Sequence, residues 1–147
     1  MADAIDELQA HGVYDDCELD ADPRSDFDRV TCDFAIALTS LKPDSTVYVL
    51  AFSPSTPITV EQALATLGPP RCVFVLSPLL PDHPSTSAQL LFDDPPATLA
   101  LESQSAAIYT IHPSTSVWEV IYWQAGARTD PLGCAEWAGY SQYFPSP

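Results

Sequence analysis

The sequence predicts an α+β fold: an antiparallel β-sheet with short helices packed on one face, arranged as two tandem helix-plus-strands repeats. Three observations predict it. Stretches with a two-residue hydrophobic period recur along the chain, which is the signature of strands with one covered face. Proline-bearing breaks at Pro78 to Pro84, Pro95-Pro96 and Pro113 separate several of them, and these breaks are shorter than the dozen or more residues a parallel crossover needs. A helix-stopping glycine, Gly12 and again Gly68, is followed within four or five residues by a cysteine opening a strand-like stretch, Cys17-Glu18-Leu19 and Cys72-Val73-Phe74-Val75-Leu76. The units are expected at about 1–56 and 57–147, inside one compact domain spanning 1–147.

Taken in order, Asp3 to Gly12 reads as a short helix with Asp3 as N-cap, Asp6 and Glu7 in the first turn and Gly12 just past the end. Its apolar face is thin, chiefly Ala4, Ile5 and Leu8. Cys17 and Cys32 stand symmetrically about Arg24-Ser25, in a segment whose Asp22-Pro23-Arg24-Ser25-Asp26 reads as a turn, so a hairpin there would set the two cysteines face to face. Val30, Cys32, Phe34, Ile36 and Leu38 alternate with Arg29, Thr31, Asp33, Ala35 and Ala37, which predicts one strand with a covered face. Lys42-Pro43-Asp44-Ser45 is a turn leading into Val47 to Phe52, and Ser53 to Pro57 is a connector. The second helix is clearer. Thr59 and Gln62 form a capping box, Val60, Ala63, Leu64 and Leu67 recur at helical spacing, and Gly68-Pro69-Pro70 ends it. The remaining candidate strands are Cys72 to Leu76, Ala88 to Phe92, Ala97 to Leu101, Ala106 to Ile111 and Val117 to Trp123.

The helix with its Leu67-Gly68-Pro69-Pro70 stop, the amphipathic strands after it and a closing Trp137-Ala138-Gly139-Tyr140 together resemble small exported α+β domains of bacterial lipoproteins. Those in turn resemble the tandem repeats of the β-lactamase inhibitor protein family and of the small outer-membrane assembly lipoprotein family. The resemblance covers most of the chain and implies a non-enzymatic envelope or secreted protein that presents a sheet face to a partner.

Charge narrows the function classes. With 20 acidic residues against 5 basic ones in 147, the net charge is −15, which repels phosphate backbones and anionic lipid surfaces. Nucleic-acid binding is excluded on that ground. The longest apolar runs, Val47 to Phe52 and Cys72 to Leu76, are far below the roughly 18 residues of a transmembrane segment. Residues 1–56 hold 12 acids and 3 bases, net −9, and residues 57–147 hold 8 and 2, net −6.

Four cysteines, Cys17, Cys32, Cys72 and Cys134, without a C-x-x-C pair argue against zinc ribbons and thioredoxin-like sites. Two disulfides or four buried thiols remain. A Cys17–Cys32 bridge would leave Cys72–Cys134, one of three possible connectivities. The first residues have neither the basic nor the apolar region of a signal peptide. A single lysine and loops rich in Ser, Thr and Pro point to an extracellular or cell-envelope protein whose leader is not in this chain, with the cytoplasm as the alternative.

The candidate sites are few. Residues 15–28 hold seven carboxylates, and Asp20, Asp22, Asp26 and Asp28 make a weak Ca²⁺ candidate. Arg24 at a ligand position and the missing turn glycine favour a solvated hairpin tip, so no metal is expected. His11, His83 and His112 occupy no metal or general-base frame, there is no G-x-S-x-G elbow, and five glycines leave no phosphate-cradling loop. No catalytic residue and no cofactor is expected. Seven of the fifteen aromatics fall in residues 118–147. Alternation puts Val117, Glu119, Ile121 and Trp123 on one face of their strand and Trp118, Val120 and Tyr122 on the other. Trp118, Tyr122, Trp137 and Tyr140 are the candidate binding residues, being the residue types that anchor interfaces; a lid formed by Trp137 to Phe144 over the second face is the competing account. The function expected is a secreted or envelope binding module with a protein partner, a cationic one suiting the charge. The alternatives are a proteinaceous inhibitor or immunity-type protein blocking a basic enzyme, and a small hydrolase using carboxylates.

Overall fold

The computed structural model describes residues 17–20, 27–32, 36–41, 46–77, 85–126, 128 and 131–145, with backbone alone at 17–20, 27–28, 32, 36–41 and 46. The expected helix at Asp3 to Gly12, the Arg24-Ser25 turn, the Lys42 to Ser45 turn, His11 and His83 lie outside the described residues, as do Asp22 and Asp26 and the side chains of Asp20 and Asp28.

Among the described residues, the chain is mostly antiparallel sheet with one short helix. Twelve strands are described: β1 (Cys17–Asp20), β2 (Phe27–Cys32), β3 (Ile36–Leu41), β4 (Thr46–Phe52), β5 (Ile58–Thr59), β6 (Cys72–Leu76), β7 (Ser87–Asp93), β8 (Pro96–Leu101), β9 (Tyr109–Thr110), β10 (Ser116–Trp123), β11 (Ala135–Glu136) and β12 (Gln142–Tyr143), with helix α1 (Val60–Leu67) between β5 and β6. Ten of them make one sheet in the order β1-β2-β3-β4-β10-β8-β7-β6-β11, with β5 paired to β10; β9 and β12 form a separate ribbon. Thus β1 to β4 are a meander, and β4 joins the rest of the sheet through β10, far away in sequence.

The β1–β2 register sets Cys17 opposite Cys32 across the hairpin, as the symmetry about Arg24-Ser25 requires. The side chains of that pair lie outside the described residues. Arg29 to Leu38, expected as one strand, is two. Val30 pairs with Leu38 and Cys32 with Ile36 across the β2–β3 hairpin. Cys32 and Ile36 are an even number of residues apart, so the two-residue period reads straight through the reversal and hides it. The expected strand Ala106 to Ile111 is reduced to Tyr109–Thr110.

Register places alternate rows on opposite faces. On one face Val73, Leu90, Leu99, Val120 and Phe52 lie in a row, and the next rows bring Val75, Ala88, Leu101 and Val117 on one side and Phe92, Ala97 and Tyr122 on the other. α1 packs here. Its N-cap Thr59 hydroxyl accepts from the Gln62 N–H while the Gln62 side chain accepts from the Thr59 N–H, the expected capping box, and Gly68 at φ 76° closes the helix by donating to the Leu64 carbonyl at 2.9 Å. Val60 and Ala63 are buried against the sheet, with Leu64 and Leu67 packed beside them.

The chain after β10 is a clip around the β6 edge. On the face opposite α1, the Arg128 guanidinium donates to the Phe92 and Ala97 carbonyls and to the Asp93 carboxylate, the last at 2.8 Å, and Arg71 reaches the same carboxylate at 3.1 Å. Cys134 is joined to Cys72 across a sequence separation of 62, which settles this pairing as a disulfide. β11 then pairs with β6, and beyond it Trp137 and Tyr143 join the core on the α1 side. Tyr143 is held there, its hydroxyl donating to the Gly139 carbonyl and accepting from the Ala138 N–H. The fully buried Tyr109 donates to the Glu102 carbonyl at 2.6 Å; burial and the Glu102 charge raise its pKa far above the ordinary phenol value, so the hydroxyl stays a donor. No helix among the described residues is long and apolar enough to cross a membrane.

Candidate functional site

The four candidate aromatics do not form one surface. Trp118 is the extra residue of a β-bulge: Val117 pairs with Leu101 and Glu119 with the adjacent Ala100. The bulge breaks the alternation expected for this strand, so Val117 shares the α1 face with Val120 and Tyr122, all packed in the core cluster or against it. It leaves Trp118 at 53% exposure. Nothing in the sequence of Ser116 to Trp123 marks the bulge, because a bulge is defined by the partner strand.

Tyr122 is half-buried on the α1 face and lies nearly parallel to Phe52 of β4, ring centroids 6.2 Å apart and planes at 19°. These rings form one wall of a groove of about 410 Å³ between α1 and the β4–β10 seam. Leu99 and Val120 floor it, and Ala63, Thr66 and Leu67 of α1 with Ile58 complete it. Phe52 was visible in the sequence only as the end of a strand; its role depends on β4 meeting β10.

Trp137 and Tyr140 do come together. Their rings meet edge to face at 6.0 Å, and Trp137 stacks on Tyr143 at 6.1 Å. Trp137 packs against the core and Tyr140 is exposed. Trp137 and Tyr143 lie on the α1 face, the one that carries Val120 and Tyr122, because β11 carries the chain past the β6 edge first.

On the opposite face, Cys72, Leu91, Thr98, Ile121 and Ala51 share a row. Its β6–β8 part is buried, and Trp123 caps it by donating its indole N–H to the Thr98 hydroxyl at 3.1 Å. Tyr48 meets Trp123 edge to face at 6.4 Å. Towards β10, β4 and β2 the face opens. Glu119, Ile121, Ala51 and Val49 are half-buried, and Arg29 and Thr31 are exposed. Burial raises the Glu119 carboxyl above its ordinary value, an effect the Arg29 charge partly offsets.

No family model, no curated protein and no solved structure matches the chain. The site is therefore read from its own geometry. Among the described residues, no three His, Cys, Asp or Glu side chains converge as metal ligands; the Ca²⁺ candidate set Asp20, Asp22, Asp26 and Asp28 falls outside the described side chains. His112 is exposed in a turn where its N–H donates to the Thr115 hydroxyl.

Proposed function

We propose that the protein is a non-catalytic secreted or cell-envelope binding module, built of two helix-plus-strands units, that presents the side of its sheet opposite α1 to a cationic protein. The observation that carries this reading is the open stretch of that face across β10, β4 and β2, where Glu119, Ile121, Ala51, Val49, Arg29 and Thr31 all keep contact with solvent. Among the described residues no helix lies on this face, and Ile121, Ala51 and Val49 are apolar with Glu119, Arg29 and Thr31 around them, the pattern of a docking patch. The charge of −15 would steer a basic partner towards it.

Strand order supports two units. β1 to β4 form one four-stranded meander, and β6, β7, β8 and β10 form a second, the two meeting through their last strands. This is the organisation that resemblance to the tandem repeats of the β-lactamase inhibitor protein type implies. The Cys72–Cys134 disulfide supports an oxidising compartment.

The test is a pull-down followed by gel filtration. A partner captured at low salt should co-elute as a discrete complex, dissociate at roughly 0.5 M salt where the Debye length is only a few ångströms, be lost with Ile121→Lys and be kept with Leu132→Lys on the clip. Salt-insensitive capture, or equal capture by both variants, would sink the reading. A turnover abolished by one carboxylate substitution would establish the hydrolase instead.

A further inference from the structure

We propose that the groove between α1 and the β4–β10 seam binds a small cationic amphiphile, an aromatic or short aliphatic body carrying one amine. This site lies on the face opposite the protein-docking surface and does not rest on that reading. Its volume of about 410 Å³ falls within the few hundred to a thousand ångströms cubed typical of small-ligand sites, which are apolar with a few polar groups at the edge. Leu99 and Val120 make the floor and Ala63 and Leu67 a wall, while among the described residues the polar lining comes from Thr56, Gln62, Thr66 and Tyr122.

Two of those polar groups are engaged within the protein. The Gln62 carbonyl oxygen of the side chain accepts from Thr59, and the Thr66 hydroxyl donates to the Gln62 backbone carbonyl. Affinity must therefore come from the apolar body and from charge, and three observations set the sign of that charge. The stacked Phe52 and Tyr122 rings line the groove, and aromatic faces attract cations. Thr66 and Leu67 line it from the last turn of α1, which holds no basic residue of its own, so the negative end of the helix dipole borders the groove. None of the described residues that line the groove is Lys or Arg, and the chain as a whole carries −15, which concentrates cations and repels anions.

The test uses three molecules of one shape: phenylbutylamine, phenylbutanol and phenylbutyrate, titrated into the full chain at neutral pH and low salt and followed by calorimetry or ligand-observed NMR. The amine should bind tightest, then the alcohol, then the carboxylate, with amine and carboxylate about tenfold or more apart. Thr66→Trp, which fills the groove from an exposed helix position, should weaken the amine by about tenfold with an unchanged circular dichroism spectrum. Tyr122→Leu keeps an apolar groove without one ring, so it should retain alcohol binding and shrink the preference for the amine. Equal affinity for all three molecules, no binding of the amine, or wild-type binding by folded Thr66→Trp would overturn the proposal. If Thr66→Trp does not fold, an unchanged amine preference in Tyr122→Leu overturns it.

Discussion

The two faces of the sheet are made by alternate residues of the same strands, yet they are closed by different means. On the α1 face, Leu90, Leu99 and Val120 are buried under hydrophobic side chains of α1 and under Tyr109, Ile111 and Tyr143. On the opposite face, among the described side chains, burial is confined to the β6–β8 end, where the chain is held by the Cys72–Cys134 disulfide and by Arg128 on Asp93. One face is closed by packing and the other by tethers. Packing distributes its contribution over many contacts, whereas a tether concentrates it in a few bonds, so the two should fail differently under substitution.

The largest effect should come from cutting the covalent tether. Replacing Cys72 and Cys134 together by Ser releases a closed loop with a sequence separation of 62, for which chain-entropy reasoning gives about 4 kcal/mol. Urea unfolding of the double variant should show a loss of about 3–4 kcal/mol. A loss below about 1 kcal/mol would mean that Arg128 and the Trp137–Tyr143 stack hold the clip without the bond.

Next comes a direct comparison of the faces. Leu90, fully buried on the α1 face, should cost about 3 kcal/mol when replaced by Ala, within the range for buried leucines that leave a cavity. Ile121, half-buried on the opposite face, should cost about 1 kcal/mol for the same truncation, because solvent already reaches it and no closed cavity forms. Equal losses at the two positions would show that the opposite face is covered more completely than its exposure indicates.

This contrast was only half legible in the sequence. The α1 helix and its capping box, the β6 to β8 strands and the Cys17–Cys32 register all follow from local signals: a 3.6-residue period, a two-residue period, and symmetry about a turn. What local signals could not give was anything decided by a distant partner. The β2–β3 reversal keeps an even spacing, so alternation runs through it. The Trp118 bulge exists only relative to Leu101 and Ala100, and Phe52 enters the groove only because β4 meets β10. The clip is invisible for the same reason. Ala135–Glu136 and Gln142–Tyr143 are two-residue strands with no period to detect, and Arg128 stood only as one base among many acids. Of the four aromatics singled out, Trp137 and Tyr140 meet because they are three residues apart in one turn-forming stretch, whereas Trp118 and Tyr122 are parted by the bulge that the alternation missed.

The smallest expected effect separates the faces by sign. Glu119 is a carboxyl on the open face, raised above its ordinary value of 4.5 by burial, with Arg29 opposing in part. The folded state therefore holds this proton more tightly than the unfolded chain does. Its contribution is fully present below the unfolded value and is lost as pH rises through the raised folded value. Glu119→Gln removes the ionisation, so it should raise Tm at pH 7 by about 2 °C and leave Tm unchanged near pH 3.5, where the wild-type side chain is already neutral in both states. A lower Tm at pH 7 would show that attraction to Arg29 outweighs desolvation, and that the pair is a tether like Arg128–Asp93. The same group also reports on docking. A basic partner seated on this face would favour the carboxylate form, so its binding should release a proton and strengthen as pH rises through the raised Glu119 value, while Glu119→Gln should bind with no such pH dependence. The open face would then be weakened by its own carboxylate in the free protein and relieved of that cost in the complex, whereas the α1 face is held by the hydrophobic packing of Leu90, Leu99 and Val120.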